Sequence, residues 1–522
     1  MRLVIAASSL GTIFEWYDFF IYGTLAAIVG KVFFPASSDV AQLLLTLATF
    51  AVGFGVRPLG AVLFGYLGDR LGRKYTFLVT ITLMGLATAG LGFVPGAAQI
   101  GIAAPVILLV LRALQGLALG GEYGGAAIYV AEHARADRRG FYTSFIQGSV
   151  AGGFVLSLAV VLGTQAVLGP EAWQAWGWRF PFVFSLVLLA VSLWMRLKLS
   201  ESPVFQAIKE AGEIARNPLK ETFTYPGNGR RLFVALFGIA AGLTVIWYTA
   251  MFQVLYFLQN AMKLEPSMAQ ILVGIGAAAG LVFFVLFGWL SDRLGRKLPI
   301  VTGYGLTLIL LFPIFTMIGH AANPHLARAA ERAPVVVGGS DCGYSPFAKT
   351  QPSACGKALD MLSKRGVPYA TNRELSGVII GEKRLASAAV YPSETELDSA
   401  LKDAGYDLEK VRPSGGNIAI ILIGILALSA LSGMTYGPVA ALLSELFPPR
   451  IRYSSMSIPY HIGTGYFGGF LPFVSQYIVA KTGNPYSGLW YTWVVVAVAL
   501  LVTGFWLRRG DLTAMDEPAR GG

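Results

Sequence analysis

Five ionisable side chains, Glu15, Asp18, Arg57, Arg112 and Glu122, interrupt long apolar stretches of this 522-residue chain. Charge among apolar neighbours is costly, so such residues are the first candidates for chemistry. Glu15 and Asp18 are three apart and share one helix face. Arg112, Gln115, Leu119 and Glu122 recur at helical spacing, which turns Arg112 and Glu122 to the same interior. A guanidinium can hold a carboxylate, and a protein carboxylate that loses its arginine to that anion tends to take up a proton. Arg57 and Arg112 are therefore expected to hold an anionic substrate, with Asp18 as proton acceptor, Glu15 as the second candidate and Glu122 beside them. As plain ion pairs they would add little net stability once desolvation is counted.

The second half offers polar residues at helical spacing: Tyr248, Gln253 and Tyr256, then Tyr436, then Tyr460 and His461. With Tyr17 and Gln147 of the first half, Tyr248, Gln253 and Tyr460 are read as substrate contacts, although such residues also serve as packing groups. His461 joins the proton-coupling candidates because imidazole titrates near neutrality. The glycine pairs Gly120-Gly121, Gly124-Gly125, Gly152-Gly153 and Gly468-Gly469 lack the spacing of a phosphate-binding loop and are read as sites of close helix packing. The sequence carries no metal-ligand Cys/His spacing and no nucleophile elbow. No enzyme and no cofactor are expected; the energy source would be a proton gradient.

These residues need helices to place them. The chain is 55% hydrophobic and 13% charged, where soluble domains carry about a quarter charged. Apolar blocks long enough to cross a bilayer fall at approximately 5–30, 41–66, 75–95, 105–131, 141–166, 177–197, 232–258, 268–290, 298–320, 417–445, 456–480 and 487–507. They are continuous rather than alternating, which predicts helices and not a barrel. The first is too long and too rich in charge for a cleaved signal peptide.

The decapeptide at 65–74, Gly-Tyr-Leu-Gly-Asp-Arg-Leu-Gly-Arg-Lys, recurs at 288–297 with eight of ten positions identical. A repeated charged hairpin between apolar blocks predicts two equivalent six-helix bundles. Asp69, Arg70 and Arg73 in one copy and Asp292, Arg293 and Arg296 in the other are gating candidates. A carboxylate favours a helix N-terminus, so Asp69 is expected near Tyr453–Ser455 and Asp292 near Phe141–Thr143. Both contacts would close one face of the molecule.

The net charge of +11 is placed as a topology signal rather than as a nucleic-acid surface. Arg70, Arg73, Lys74, Arg135, Arg138, Arg139, Lys209, Arg216, Lys220, Arg230, Arg231, Arg293, Arg296, Lys297, Arg450 and Arg452 occupy one set of connections, against little more than Lys31, Lys263 and Lys481 on the other. The positive set predicts cytoplasmic loops and cytoplasmic termini. The expected units are a bundle over 1–198, a basic cytoplasmic linker over 199–231, helices 7–9 over 232–321, an extracytoplasmic insert over 322–415, and helices 10–12 with a tail over 416–522. The insert reads as a small α/β domain, with strands at Pro334–Gly338 and Gly377–Gly381 and helices at Ala354–Lys364 and Glu394–Ala404. It holds both cysteines, Cys342 and Cys355, and in an oxidising compartment these are expected to form a disulfide.

The decapeptides match the signature loop of the major facilitator superfamily. Glu15-Trp-Tyr-Asp18-Phe, Arg57-Pro-Leu-Gly60, Arg112-Ala-Leu-Gln115-Gly116, Gly120-Gly121-Glu122, Trp178-Arg179-Phe-Pro181, Glu201-Ser-Pro203 and Glu445-Leu-Phe-Pro-Pro-Arg450 narrow the resemblance. The membrane portion resembles the metabolite:proton symporters, which include carriers of α-ketoglutarate, shikimate, citrate and proline or betaine. The insert departs from that pattern. The resemblance implies alternating access in the cytoplasmic membrane of a bacterium, with a small molecule and protons as ligands and a monomer as the working unit. Three functions stand open: proton symport of a small carboxylate; symport of a zwitterion such as betaine or proline, favoured by Trp16, Tyr17, Tyr248, Tyr256 and Tyr460; and a nutrient sensor that uses the insert. An extracytoplasmic partner of the insert is left open.

Overall fold

The computed structural model describes residues 2–35, 38–71, 73–121, 127–128, 130–131, 133–197, 218–339, 342–348, 350–385, 391–448 and 451–508, without the side chains of 2–7, 65–66, 68–71, 73–74, 77, 196 and 218. Each of the twelve apolar blocks forms a helix. The first half holds α1 (Arg2–Thr24), α2 (Asp39–Leu71), α3 (Arg73–Phe93), α4 (Ala103–Gly120), α5 (Arg139–Ala175) and α6 (Phe180–Leu197). The second opens with α7 (Asn228–Ala261), α8 (Pro266–Leu294) and α9 (Lys297–Ala322). The insert adds α10 (Pro324–Arg332), α11 (Ala354–Arg365) and α12 (Glu394–Asp403). The bundle is completed by α13 (Gly415–Leu446), α14 (452–482) and α15 (Leu489–Trp506). Nine of these helices, among the described residues, are long and apolar enough to cross a membrane by themselves.

Helix contacts follow the sequence repeat. Within the halves α2 packs on α4 and α3 on α6, while α8 and α9 pack on α13; between the halves α5 packs along α8 and α2 along α14. The two cross-half pairs are related by the same pseudo-twofold as the decapeptides. Small residues bring α2 and α4 together. A Cβ on Gly116 would collide with the Gly53 carbonyl, and one on Gly60 with the Leu117 carbonyl. Close approach of this kind is how helices associate where burial from water supplies no driving force between them. Wide π-helical turns at Val234–Ala240, Thr249–Gln253 and Phe257–Ala261 loosen α7, and Gly463–Gly469 does the same in α14. Such turns recur at functional sites.

Residues between α9 and α13 form a small α/β unit with its own apolar core, including Val335, Val337, Leu359, Leu362, Val378 and Leu397. Its sheet runs β2 (Tyr369–Asn372), β1 (Val335–Gly338), β3 (Gly377–Ile380), β4 (Lys383–Arg384), with β1 parallel to β2 and antiparallel to β3. The polar strands β2 and β4 and the helix α10 are additions to the elements read from sequence, because only buried strands carry the apolar run that marks them. Cys342 and Cys355 are joined, with Cα atoms 4.9 Å apart.

Candidate functional site

The repeat that creates two bundles also creates one space between them. A narrow cavity of about 10 Å³ lies there, with Arg57 and Trp16 on the first-half wall and Trp247, Tyr248, Tyr436 and Tyr460 on the second. Val150, Thr244 and Thr464 complete it. The Arg57 guanidinium, fully buried, sits 5.2 Å from the Trp16 ring centre and 5.3 Å from that of Phe54. Tyr436 and Tyr460 share a hydrogen bond of 2.7 Å. Tyr248 Oη and Trp247 Nε1 are buried without a hydrogen-bond partner within the protein. His461 packs edge-on against Tyr460, 5.6 Å between ring centres. Neither of its ring nitrogens is hydrogen-bonded, and it lies in the field of Arg57.

The other charge candidates are placed differently. Arg112 is fully buried inside the first bundle, its guanidinium over Phe19 (4.3 Å), Tyr22 (4.5 Å) and Phe50 (5.1 Å). It donates to Gln115 Oε1 at 2.6 Å, and Gln115 Nε2 donates to Thr88 Oγ1 at 2.7 Å. Arg112 thus packs against α1 and α2 and is not among the residues lining the cavity, although its field reaches Tyr248 of the cavity wall. Tyr17 and Asp18 face α6, where Tyr17 Oη donates to the Pro181 carbonyl at 2.6 Å and Asp18 lies by Ser185. Asp18 Oδ1 and Ser185 Oγ each lack a hydrogen-bond partner. Glu15 is buried on α1 and Gln147 on α5. Gln253 Oε1 accepts from Ser475 and Gln476 of α14, away from the cavity. Glu122 lies outside the described residues. Trp247, Thr244 and Thr464 were absent from the sequence reading, since one tryptophan or threonine in an apolar helix carries no mark of its neighbours across the interface.

Contacts join the halves on both sides of the cavity. On the decapeptide side the carboxylate of Asp292 accepts from the Gly140 and Phe141 amides, each at 2.8 Å. The contact falls at the first turn of α5, beginning one residue earlier than the expected Phe141–Thr143. Arg296 donates to Asp292 at 2.5 Å and to Glu445 at 2.8 and 3.1 Å, tying α13 into the same network. Arg293 instead stacks on Trp289 at 4.0 Å on the exposed side. The side chains of Asp69, Arg70 and Arg73 lie outside the described residues; at the corresponding junction Tyr453 Oη donates to the Gly121 carbonyl at 3.1 Å. At the opposite end Tyr256 Oη donates to the Gly23 carbonyl at 2.9 Å, and Phe252 fills the space over Gly23.

Two pseudo-symmetric helical bundles with an arginine-bearing cavity between them fit a membrane transporter. Residues 3–235 and 404–508 match the sugar (and other) transporter family. The chain belongs to that family, within the major facilitator superfamily and among its metabolite:proton symporters; it is not an enzyme. It is 30% identical over 518 residues to the inner membrane metabolite transport protein YhjE of Escherichia coli, covering 96% of this chain and 93% of that one. It is 29% identical to the glycine betaine/proline/ectoine/pipecolic acid transporter OusA of Dickeya dadantii, over 100% of this chain and 85% of that one. The shikimate transporter of Escherichia coli is 38% identical over 60% of this chain and 72% of its own length. The fold is shared with the proton:xylose symporter XylE, with a TM-score of 0.62 at 18% identity over 97% of this chain and 94% of that one.

Proposed function

We propose that this protein imports a small organic acid by proton symport through alternating access. The carrying observation is the Arg57 cation on a cavity between the halves walled by aromatic side chains. A carboxylate docked on Arg57 finds Tyr248 Oη and Trp247 Nε1 as further donors. His461 is the titratable group beside that arginine. A docked anion cancels the Arg57 charge that opposes a proton on the imidazole, so anion and proton load together. Asp18, facing α6, and Arg112, within its aromatic cage, shape the bundle behind the site rather than touching the anion. The aromatic wall also favours a second reading, in which the carboxylate belongs to a zwitterion and its cationic end rests on the Trp and Tyr rings. The charge asymmetry of the loops supports a bacterial cytoplasmic membrane location, with the decapeptides and termini inside and residues 322–415 outside.

The test is uptake into proteoliposomes of mono- and dicarboxylates, betaine and proline, with and without an inward proton gradient. Accumulation of one of them only with the gradient is the expected result. Gradient-independent equilibration removes the symport reading and leaves a facilitator.

A further inference from the structure

The insert is fastened to the second half at several helix ends. Val411 donates its amide to the Lys263 carbonyl at 3.0 Å, and Glu265 donates to the Val411 carbonyl at 3.2 Å. Arg412 pairs with Glu265, and Asn323 Nδ2 donates to the Met262 carbonyl at 3.1 Å. Across the domain Lys481 Nζ donates to the Tyr344 carbonyl at 2.6 Å, and Tyr369 donates its amide to the Gly483 carbonyl at 3.2 Å. Phe347 stacks on Tyr477 with ring centres 6.2 Å apart. The Cys342–Cys355 disulfide closes the loop that carries Tyr344 and Phe347. Through these bonds the insert moves with the outer ends of α7, α8 and α14.

The same domain also reaches the first half, where α11 packs against α2. Lys263 lies at that junction. It is the one described non-glycine residue with positive φ, 57°, a conformation that persists only where the surroundings hold it. Its Cε and Nζ lie against Gly366 at the end of α11, leaving no room for a Cβ there. Asp39, the first residue of α2, is the acid whose field reaches Lys263, and Lys410 is the second cation nearby. Asp39 is exposed and makes no ion pair with Lys263 in this structure.

We propose that the insert is an outer gate element: a cap carried by the second half whose seat on α2, across which Asp39 and Lys263 carry opposite charges, breaks when the outer mouth opens. It is the counterpart of the Asp292 contact on the other face, and the two bias one equilibrium in opposite directions. The proposal rests on alternating access and on the outer placement of 322–415, and not on the identity of the substrate.

The experiment uses the full chain with Thr464→Cys as reporter in the cavity; the two native cysteines are bonded to each other. Right-side-out vesicles are labelled from outside with a membrane-impermeant maleimide. Asp39→Lys, which sets like charges against each other across the seat, is expected to raise the labelling rate roughly five-fold. Adding Lys263→Glu to it restores opposite charges and returns the rate to within about twofold of the parent. A rate indifferent to Asp39→Lys, or one that the charge swap leaves high, overturns the proposal. Asp292→Asn in the same background separates the two readings. A fall in outer labelling with Asp292→Asn keeps alternating access when Asp39→Lys is silent, and indifference to both variants removes alternating access as well.

Discussion

Arg57 and Arg112 show why residue type alone does not assign a role. Both are arginines at bilayer depth, and both are fully buried. Arg57 lines the space between the halves, whereas Arg112 is held among Phe19, Tyr22 and Phe50. Removing a charged partner from a buried carboxylate costs about 2–5 kcal/mol, so Arg57→Gln is expected to weaken substrate affinity by roughly 30-fold or more at 1.4 kcal/mol per decade. Arg112→Met fills a similar volume with an apolar chain and is expected to change KM by less than about threefold, since exchanging a buried charge for a well-packed apolar group is often neutral. Concentration-dependent uptake measures both, and equal loss of affinity in the two variants contradicts the assignment. For the proton, His461→Gln is expected to leave downhill exchange intact while internal substrate stops at the external concentration. Uphill accumulation by His461→Gln would return the proton to a carboxylate such as Asp18.

At the scale of elements, the decapeptide carboxylate and the glycine seams do the positioning. Asp292 accepts two backbone amides at the start of α5 and one bond from Arg296. Asp292→Asn loses the charge that makes these bonds strong, worth about 2 kcal/mol, and is expected to raise labelling of cytoplasmic-side cysteines by an order of magnitude. Gly116→Val pushes a side chain into the Gly53 carbonyl. The cost exceeds the roughly 1–3 kcal/mol of an ordinary overpacked core because the obstacle is backbone; no monodisperse peak is expected in size-exclusion chromatography. The helices were legible in the sequence because continuous apolar runs and a repeated charged hairpin report directly on a bilayer and a duplication. The Asp292 contact was legible to within a residue, because the repeat fixes which helix start it meets. What the sequence could not carry is azimuth: helical spacing groups Arg112 with Gln115 but does not say whether that face meets α1 or the cavity. The same loss hides Trp247 and Thr464, and it hides β2 and β4, whose residues are polar.

At the scale of the whole molecule, the described contacts join the two halves at both ends of the cavity. Asp292 bonds the start of α5 and, through Arg296, Glu445 of α13 at one end, and Tyr256 donates to the Gly23 carbonyl at the other. The space between the halves holds about one water, so a substrate on Arg57 requires the cavity walls to move apart. The insert gives this chain contacts to the ends of α7, α8 and α14 and to α2 that are separate from the cavity. The most direct measurement of the central claim is uptake of the identified substrate into proteoliposomes by the parent and by Arg57→Gln, each with and without an inward proton gradient. The expected result is gradient-dependent accumulation in the parent alone, with binding lost in Arg57→Gln. Equal, gradient-driven accumulation in both proteins would contradict the placement of the anion on Arg57.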